Sequence, residues 1–389
     1  MNILADENIP FVVEAFSSLG EVETLPGRSI APERLQGVEV LLVRTVTRVD
    51  EALLSNTPVR FVGSATSGFE HVDADYLEAR GIGFAGAAGA NATSVAEYVA
   101  GALAELAQRF DLQLSDLSLG IVGHGHVGKR VSQMASALGM RCVVNDPPLA
   151  RATKNPTYRP LREILECDVI TLHVPLEREG ADPTYHLVND GFLAQMKEGA
   201  ILINTSRGGV VDEVALKKAL RDERLKACVL DVWDGEPRPD PELIEMAAIA
   251  TPHIAGYSLD GRVEGTRRIL DAACAYLGLD AKWDRASLLP APETPRIQVD
   301  PANGRALLHA VREVYDILVE DAKMRRLCAL DKAARAAAFD ALRRDYPPRR
   351  EFSSTVAQLP SPDKDLEKAL HALGFQVASR VKRSAPPSR

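Results

Sequence analysis

The chain contains the stretch Leu119-Gly120-Ile121-Val122-Gly123-His124-Gly125-His126-Val127-Gly128, a short apolar run that passes directly into a glycine-rich loop. A helical pattern follows at residues 127–138, so the glycines lie between a predicted strand and a predicted helix. In this context Gly123 permits a tight turn, Gly125 lets the backbone approach a pyrophosphate, and Gly128 lets the helix pack against its strand. The stretch therefore predicts a dinucleotide-binding loop.

An acidic residue follows this loop at the expected distance. The next apolar run, residues 141–144, ends just before Asp146. A carboxylate at this position binds the ribose hydroxyls of the adenosine and repels the 2′-phosphate of NADP. We therefore predict NAD as the cofactor.

Apolar runs separated by helix-length spacers continue on both sides of the loop. Such short runs are typical of strands in a parallel sheet. Before the loop they are found at residues 3–5, 40–43, 60–63 and 82–84, and from the loop onward at 119–122, 141–144, 169–172, 200–203, 228–232 and 248–250. The pattern predicts two doubly wound α/β units.

Two helices are predicted where the chain passes between these units. Ser94 and Glu97 form a capping-box pattern, so a helix is predicted to begin at Ser94. A second helical pattern, residues 263–277, follows His253 and is predicted to return to the first unit.

Composition limits the kind of protein this is. The chain has 389 residues, a formal net charge of −8 and 46% hydrophobic residues, which suits a globular protein of two or three domains and argues against nucleic acid as a partner. Its five scattered cysteines have no metal-ligand spacing and suggest thiols in a reducing compartment. No apolar run is long enough to cross a membrane and no export signal is evident, so we expect no membrane partner and a cytoplasmic location.

Three ionisable residues each follow a predicted strand of the glycine-loop unit. Arg207, Glu236 and His253 come after the runs at 200–203, 228–232 and 248–250, and ligands bind at this edge of parallel sheets. Imidazole can take a hydroxyl proton, a carboxylate can orient the imidazole, and a guanidinium can hold a substrate carboxylate. The three residues therefore predict hydride-transfer chemistry on a hydroxy acid, with His253 as base.

These motifs resemble the NAD-dependent D-2-hydroxyacid dehydrogenases. The resemblance rests on the glycine loop, on residues 207–220, on Asp231 to Pro237 and on Thr251-Pro252-His253, in this order. It implies catalytic roles for Arg207, Glu236 and His253. It also implies that NAD is bound by Gly123, Gly125, His126, Val127, Gly128, Asp146, Val174, Ser206, Arg207, Asp231 and Gly256, and the substrate by Thr45, Thr66 and Tyr257, with no metal.

The resemblance also implies how the domains are arranged. The NAD-binding Rossmann domain, residues 100–256, is inserted in a substrate (catalytic) domain made of residues 1–99 and 257–288. Residues 289–380 are expected to form a small C-terminal α+β dimerisation domain that the chemistry does not need, and residues 381–389 a disordered tail. The helical part of this C-terminal segment could serve its own core or the contact of a homodimer.

Within the family, the chain most resembles members that act on a small phosphorylated 2-hydroxy acid. Arg44, or Arg349 or Arg350 of a partner subunit, could neutralise the phosphate, although solvated surface charge is the alternative for each. Two other functions stay open at this point, namely a dehydrogenase of glycerate, glyoxylate or phosphoglycerate and an NAD-sensing module without catalysis.

Overall fold

The computed structural model describes residues 1–379, so the predicted tail lies outside the described residues. The strands are β1 (Asn2–Asp6), β2 (Glu21–Leu25), β3 (Val40–Val43), β4 (Phe61–Ser64), β5 (Gly83–Gly86), β6 (Ser118–Val122), β7 (Arg141–Asn145), β8 (Val169–Leu172), β9 (Ala200–Asn204), β10 (Leu225–Leu230), β11 (Ile249–Ala250), β12 (Arg296–Gln298), β13 (Val356–Leu359) and β14 (Gln376–Ser379). The helices are α1 (Val12–Phe16), α2 (Glu51–Leu54), α3 (Ala74–Ala79), α4 (Ala92–Arg109), α5 (His126–Ala137), α6 (Pro147–Thr153), α7 (Leu161–Leu165), α8 (Asp190–Gln195), α9 (Glu213–Arg221), α10 (Pro241–Met246), α11 (Leu259–Leu277), α12 (Ala306–Val314), α13 (Leu318–Arg325), α14 (Lys332–Arg344) and α15 (Lys364–Leu373).

The chain divides into two compact units. The first combines Met1–Ala92 with Tyr257–Ala291, and the second combines Thr93–Gly256 with residues 292–379. The chain therefore leaves the first unit and returns to it. The first boundary falls at Ala92 rather than at residue 99, and the C-terminal segment groups with the second unit. A separate dimerisation domain at residues 289–380 stays a proposal.

A five-stranded parallel sheet forms the first unit, in the order β2-β1-β3-β4-β5. The central strand β3 is buried along its whole length, as its run of Val and Leu predicts for a strand covered on both faces. Strand β2 has no counterpart in the prediction. Its side chains are exposed or half-buried because β2 lies at the sheet edge. Since the strand contains polar residues, it does not form the apolar run from which the other strands were predicted. Helix α11 packs against β4 and β5.

The second unit is built on a six-stranded parallel sheet in the order β11-β10-β9-β8-β6-β7. All six strands predicted from residue 119 onward are present. The chain adds β7 on one side of β6 and then places β8 on the other side. In a doubly wound sheet this change of direction opens a crevice at the carboxyl ends of the strands, where ligands bind.

The C-terminal segment adds a three-stranded parallel sheet, β12-β13-β14. The helices of this segment contribute side chains to the core of the second unit. Met324, Leu327 and Phe339 belong to the apolar core beneath the six-stranded sheet, and α13 packs against the edge strand β11. Part of the segment is therefore integral to the second unit.

The capping-box prediction was wrong. Helix α4 begins at Ala92, two residues before Ser94. The hydroxyl of Ser94 donates to the carbonyl of Ala255, 2.7 Å away, and Glu97 is engaged by Arg349 and by the backbone N–H of Phe352. Partners distant in the sequence therefore take both side chains away from a local cap.

Two further expectations concern the chain as a whole. No helix within residues 1–379 is long and apolar enough to cross a membrane. All five cysteines are free thiols, of which Cys167 and Cys228 are buried and the other three half-buried.

Candidate active site

The glycine loop connects β6 to α5, and each glycine meets a different steric demand. Gly123 has φ = 90°, in the left-handed region that favours glycine. A Cβ on Gly128 would lie 2.0 Å from the carbonyl oxygen of Gly123, so the first turn of α5 packs directly on the loop. A Cβ on Gly125 would meet nothing within 4 Å. The loop is thus crowded beneath Gly123 and Gly128 and open above Gly125.

The open side of this loop suits an anionic group. Gly125 is the N-cap of α5 and supplies no side chain to the N–H groups of the first turn. A helix of twelve residues directs these donors and its positive dipole end towards that space. His126 and Val127 form the start of the helix, the first exposed and the second half-buried. These features fit the pyrophosphate of a dinucleotide.

Asp146 follows β7 and fixes the neighbouring turn. Its Oδ2 accepts the N–H of His124 at 2.8 Å, and its Oδ1 caps α6 by accepting the N–H of Leu149 at 2.9 Å. The carboxylate is therefore held beside the glycine loop with lone pairs left for ribose hydroxyls. Val174, after β8, lies against Gly123, where a Cβ would approach its Cγ1 to 3.0 Å.

Arg207 sits in a turn held by the last residue of β9. Asn204 accepts the backbone N–H and the hydroxyl of Ser206, at 3.0 and 2.7 Å, and donates to the carbonyl of Arg207 at 3.0 Å. The next residue, Gly208, packs so closely on Trp233 that a Cβ would lie 2.0 Å from its carbonyl carbon. The arginine turn therefore contacts the start of the segment that carries Glu236.

Asp231, after β10, anchors the loop that carries His253. It is buried, and its Oδ1 accepts the Thr251 hydroxyl and the Ile254 N–H, while its Oδ2 accepts the Ala255 N–H, at 2.7, 2.8 and 2.9 Å. Its carbonyl accepts the N–H of His253 at 2.7 Å. These four bonds hold His253 at φ = 58°, an uncommon value for a residue with a side chain. Burial raises the pKa of Asp231, although these donors and the nearby His253 oppose the shift.

Two aromatic side chains extend this anchor. The hydroxyl of Tyr98, on α4, lies 2.6 Å from that of Thr251. Because Thr251 donates to Asp231, Tyr98 is the donor in this pair. Trp233 donates its indole N–H to the carbonyl of Thr251 at 2.9 Å. All three groups are buried, so the loop enters the site from a fixed point.

The structure pairs the predicted base with the predicted carboxylate. Nδ1 of His253 lies 2.8 Å from Oε2 of Glu236, whose Oε1 accepts the N–H of Trp233 at 2.9 Å. Burial alone raises the pKa of Glu236, but His253, its hydrogen bonds and the charge of Arg343 lower it below its ordinary value on balance. The side chain of His253 keeps 31% of its surface exposed. Glu236 thus binds Nδ1 of His253, and Nε2 is the ring nitrogen left for another partner.

The three predicted substrate residues belong to the first unit. Thr45 follows β3 and is exposed, and Tyr257 is half-buried just before α11. Thr66 follows β4, where its hydroxyl donates to the carbonyl of Gly68 at 2.9 Å and contacts Ser64 at 2.9 Å. Of these residues, Thr45 offers the most accessible hydroxyl.

Two arginines of the first unit lie beside this group. Nε of Arg44 donates to the buried carboxylate of Asp6 at 3.1 Å, and Nη2 of Arg262 donates to the carbonyl of Asn8 at 2.9 Å. Burial lowers the pKa of Arg262, and the charges of Tyr257, Arg44 and Asp6 act on it. The Asp6 carboxylate therefore binds Arg44 directly, and its charge also acts on the nearby Arg262.

Several residues that hold the site were not predicted. Asn204 and Tyr98 lie in no motif that was singled out, although Asn204 ends a strand at the ligand-binding edge, and Thr251 lies in the motif with His253 but was given no role. Arg349, predicted as a phosphate contact from a partner, binds Glu97 and Ser94 of its own chain instead. The position of Asn204 at a strand end and that of Thr251 beside His253 are the two signals that the sequence offered.

Comparison with family models identifies two parts of the chain. Residues 91–255 match the model described as D-isomer specific 2-hydroxyacid dehydrogenase, NAD binding domain. Residues 288–374 match a model described as Domain of unknown function (DUF3410). The first match contains the glycine loop, Arg207, Glu236 and His253.

Curated relatives match almost the whole chain. Erythronate-4-phosphate dehydrogenase of Hahella chejuensis (strain KCTC 2396) is 44% identical over 384 residues, 98% of this chain and 100% of the relative. The enzyme of the same name from Salinibacter ruber (strain DSM 13855 / M31) is 47% identical over 90% of this chain and 92% of its own. Among solved structures, D-lactate dehydrogenase from Aquifex aeolicus, complexed with NAD and lactic acid, is 26% identical with a TM-score of 0.57, covering 72% of this chain and 96% of that chain.

Proposed function

This chain belongs to the family of erythronate-4-phosphate dehydrogenases, and from that premise we propose that it oxidises 4-phospho-D-erythronate to (R)-3-hydroxy-2-oxo-4-phosphooxybutanoate. The reaction is a step in pyridoxal 5′-phosphate (vitamin B6) biosynthesis. It removes a hydride from C2 and a proton from the C2 hydroxyl. The observation that carries the proposal is the His253–Glu236 pair in a unit that also holds the glycine loop and Arg207.

NAD is the cofactor of this enzyme, and when bound it accepts the hydride that leaves C2. The glycine loop suits the pyrophosphate, since its space above Gly125 is open and the amides of α5 face it. Asp146 suits the adenosine ribose. We assign NAD binding to the full set predicted from the resemblance, namely Gly123, Gly125, His126, Val127, Gly128, Asp146, Val174, Ser206, Arg207, Asp231 and Gly256.

His253 takes the hydroxyl proton. Its Nδ1 is bound to Glu236, so Nε2 is the atom that receives the proton from the C2 hydroxyl. The positive charge that forms on the ring lies against a carboxylate, which stabilises it. Glu236 is held in turn by the N–H of Trp233, so the ring keeps its orientation through the reaction.

Arg207 binds the substrate carboxylate and polarises the C2 oxygen. A guanidinium forms two parallel hydrogen bonds with a carboxylate, which fixes the substrate as well as attracting it. The bonds from Asn204 hold the arginine turn, so this side chain extends from a fixed backbone.

Thr45, Thr66 and Tyr257 are proposed as substrate-binding residues of the first unit. We assign the substrate phosphate to Arg44 and Arg262. Within residues 1–379, Arg44 binds Asp6 through Nε and no other donor of its guanidinium. The two Nη groups of Arg44 therefore remain for a phosphate dianion.

An assay of NADH formation at 340 nm tests the proposed reaction. Purified full-length protein is incubated with NAD and, in separate reactions, 4-phospho-D-erythronate, glycerate, 3-phosphoglycerate and lactate. We expect NADH with 4-phospho-D-erythronate at a kcat/KM well above that for the other acids. NADH only with another acid would mean a different dehydrogenase, and none with any acid would mean an NAD-sensing module.

The C-terminal segment supports a proposal of assembly. We propose a homodimer through this segment, because Leu318, Val319 and Leu330 expose large apolar side chains on it. Light scattering on the full chain tests this proposal, with Val319→Asp expected to shift the mass towards the monomer. We also propose a cytoplasmic location, supported by five cysteines without a disulfide, which fractionation of cells would test.

A further inference from the structure

The loop that carries His253 is connected to the C-terminal segment on both sides of the histidine. We propose that Asp321 and Arg349 are positioning residues for the catalytic base, and that the C-terminal segment therefore takes part in catalysis as well as in assembly. The inference rests on the proposed function only for the role of His253. It differs from the expectation that the chemistry does not need these residues.

The first connection precedes His253. Strand β11 is the edge of the six-stranded sheet, and within residues 1–379 it pairs only with β10. No strand in that part of the chain binds its outer backbone groups. Asp321, on α13, accepts the N–H of Ala250 at 2.7 Å through a buried carboxylate. Arg325 binds the other oxygen of Asp321 at 2.7 Å and donates to the carbonyl of Ala247 at 2.8 Å. The strand that leads into His253 is thus held from outside the sheet.

The second connection follows His253. Nη2 of Arg349 donates to the hydroxyl of Ser94 at 2.8 Å, and that hydroxyl donates to the carbonyl of Ala255 at 2.7 Å. Nη1 of Arg349 lies 2.5 Å from Oε2 of Glu97, whose Oε1 accepts the N–H of Phe352 at 2.7 Å. Burial raises the pKa of Glu97 to about 8, and the contact with the Arg349 guanidinium opposes that rise.

This pair is built to be rigid. The side chain of Glu97 is fully buried and that of Arg349 is 9% exposed. The guanidinium of Arg349 also lies over the ring of Tyr315, with its central carbon 4.2 Å from the ring centre. Because a guanidinium presents its donors in a fixed plane, Arg349 sets the direction in which the Ser94 hydroxyl points. The position of Ala255 thus depends on a residue of the C-terminal segment.

The two connections complement the Asp231 anchor described above. Asp231 binds the inner side of the loop at Thr251, Ile254 and Ala255. Asp321 and Ser94 bind it at Ala250 and at the carbonyl of Ala255, outside the reach of Asp231. A displacement of about 1 Å of a catalytic group can cost about a hundredfold in rate. Loosening either connection should therefore slow the chemical step.

The first connection is tested by Asp321→Ala in the full chain, for which we expect a lower kcat with little change in KM for NAD; an unchanged kcat would remove Asp321 from the proposal. The second connection is tested by Ser94→Ala and Arg349→Met, singly and together, with Arg344→Met as the matched control. Arg344 is exposed, and its ion-pair partner in the described part of the chain is its neighbour Asp345. In both single variants we expect kcat to fall about tenfold or more, with KM for NAD within about twofold of the unaltered protein. In the double variant we expect a kcat about equal to that of the more impaired single variant. The two losses should not multiply, because both changes break the same connection.

Amide hydrogen exchange on the NAD-free protein gives a second readout. We expect the peptide covering residues 250–256 to exchange faster in Ser94→Ala and Arg349→Met and to be unchanged in Arg344→Met. An unchanged kcat in Ser94→Ala would overturn the inference, as would independent, multiplying effects in the double variant. Should Arg349→Met not fold, Ser94→Ala alone decides, since it removes one oxygen atom and keeps the ion pair. If the unaltered protein does not oxidise 4-phosphoerythronate, the proposed function fails, while the exchange measurement still tests the inference.

Discussion

The imidazole of His253 contacts the carboxylate of Glu236 through Nδ1, at 2.8 Å, and the same carboxylate accepts the backbone N–H of Trp233. The carboxylate therefore serves two partners, one that reacts and one that fixes its own position. This relationship determines which ring nitrogen faces the substrate, and the first two predictions follow from it.

Replacing the base should separate catalysis from binding. In His253→Asn we expect kcat to fall by about 10² to 10⁴, the usual contribution of a general base. The dissociation constant for NADH, measured by fluorescence titration, should stay near that of the unaltered protein. Turnover at the original rate would remove His253 from the proposed role.

Replacing the carboxylate by its amide tests the pairing. Glu236→Gln retains the oxygen that accepts the Trp233 N–H but loses the charge next to His253. We expect a lower kcat and a displaced acidic limb in the pH profile of kcat/KM, because the imidazolium loses its partner. An identical pH profile would contradict the pairing.

The phosphate assignment is tested by comparing two substrates. In Arg44→Ala we expect KM for 4-phosphoerythronate to rise about tenfold or more, since a charged hydrogen bond contributes about 1.5 to 3 kcal/mol. The kcat/KM for unphosphorylated erythronate should change little. Arg48→Ala is the control, because the Arg48 side chain is 81% exposed and, among the residues that the structure describes, binds Asp50 alone. Equal losses for both substrates would rule out a phosphate contact.

Two glycines of the loop should respond differently to alanine. In Gly128→Ala the new methyl group meets the carbonyl of Gly123, so we expect a lower melting temperature of the NAD-free protein. In Gly125→Ala the methyl group meets no protein atom within 4 Å, so we expect an unchanged melting temperature and weaker binding of NADH. Normal NADH binding by Gly125→Ala would show that the dinucleotide does not occupy that space.

The stability of the protein in acid should depend on Glu264. Its hydrogen bonds to Arg267, Arg285 and Arg268 outweigh burial and lower the pKa of this carboxyl to about 2. Because the folded pKa is depressed, the stabilisation is present above pH 4.5 and is lost as the pH falls towards 2. We expect Glu264→Gln to cost on the order of 1 to 2 kcal/mol at pH 7, allowing for solvent screening.

Denaturant unfolding at pH 7, 5 and 3.5 checks the dependence on Glu264. The difference between Glu264→Gln and the unaltered protein should be the same at pH 7 and 5 and should shrink at pH 3.5. A difference that grows as the pH falls would contradict the assigned direction of the shift.

The second sheet could be predicted from the sequence, because its strands form short apolar runs and all of them except the edge strand β7 are buried along nearly their whole length. Strand β2 could not, since its side chains are exposed or half-buried. The start of α4 was misplaced for a different reason. Ser94 and Glu97 have a local capping pattern, but their partners include Ala255 and Arg349, more than 150 residues away.

In the candidate site, too, some features could be predicted from the sequence and others could not. The order of Arg207, Glu236 and His253 after successive strands predicted that they would meet at one edge of the sheet. The structure shows a contact between His253 and Glu236, and the catalytic roles of all three residues stay predictions. The hydrogen bonds that hold the His253 loop could not be predicted. Asp231 binds the backbone N–H groups of residues 254 and 255, and a backbone group is present whatever the side chain, so no sequence motif marks it.

The contact between Asp321 and Ala250 also bears on how the chain avoids association through its own sheet. An open sheet edge offers N–H and C=O groups to the strand of another molecule and is a common starting point for aggregation. Here α13 covers that edge, and its carboxylate takes a backbone N–H there. A shortened chain that ends before Pro292 should therefore lose solubility even if its dinucleotide loop folds, and the C-terminal segment is best kept in any expressed form of this protein.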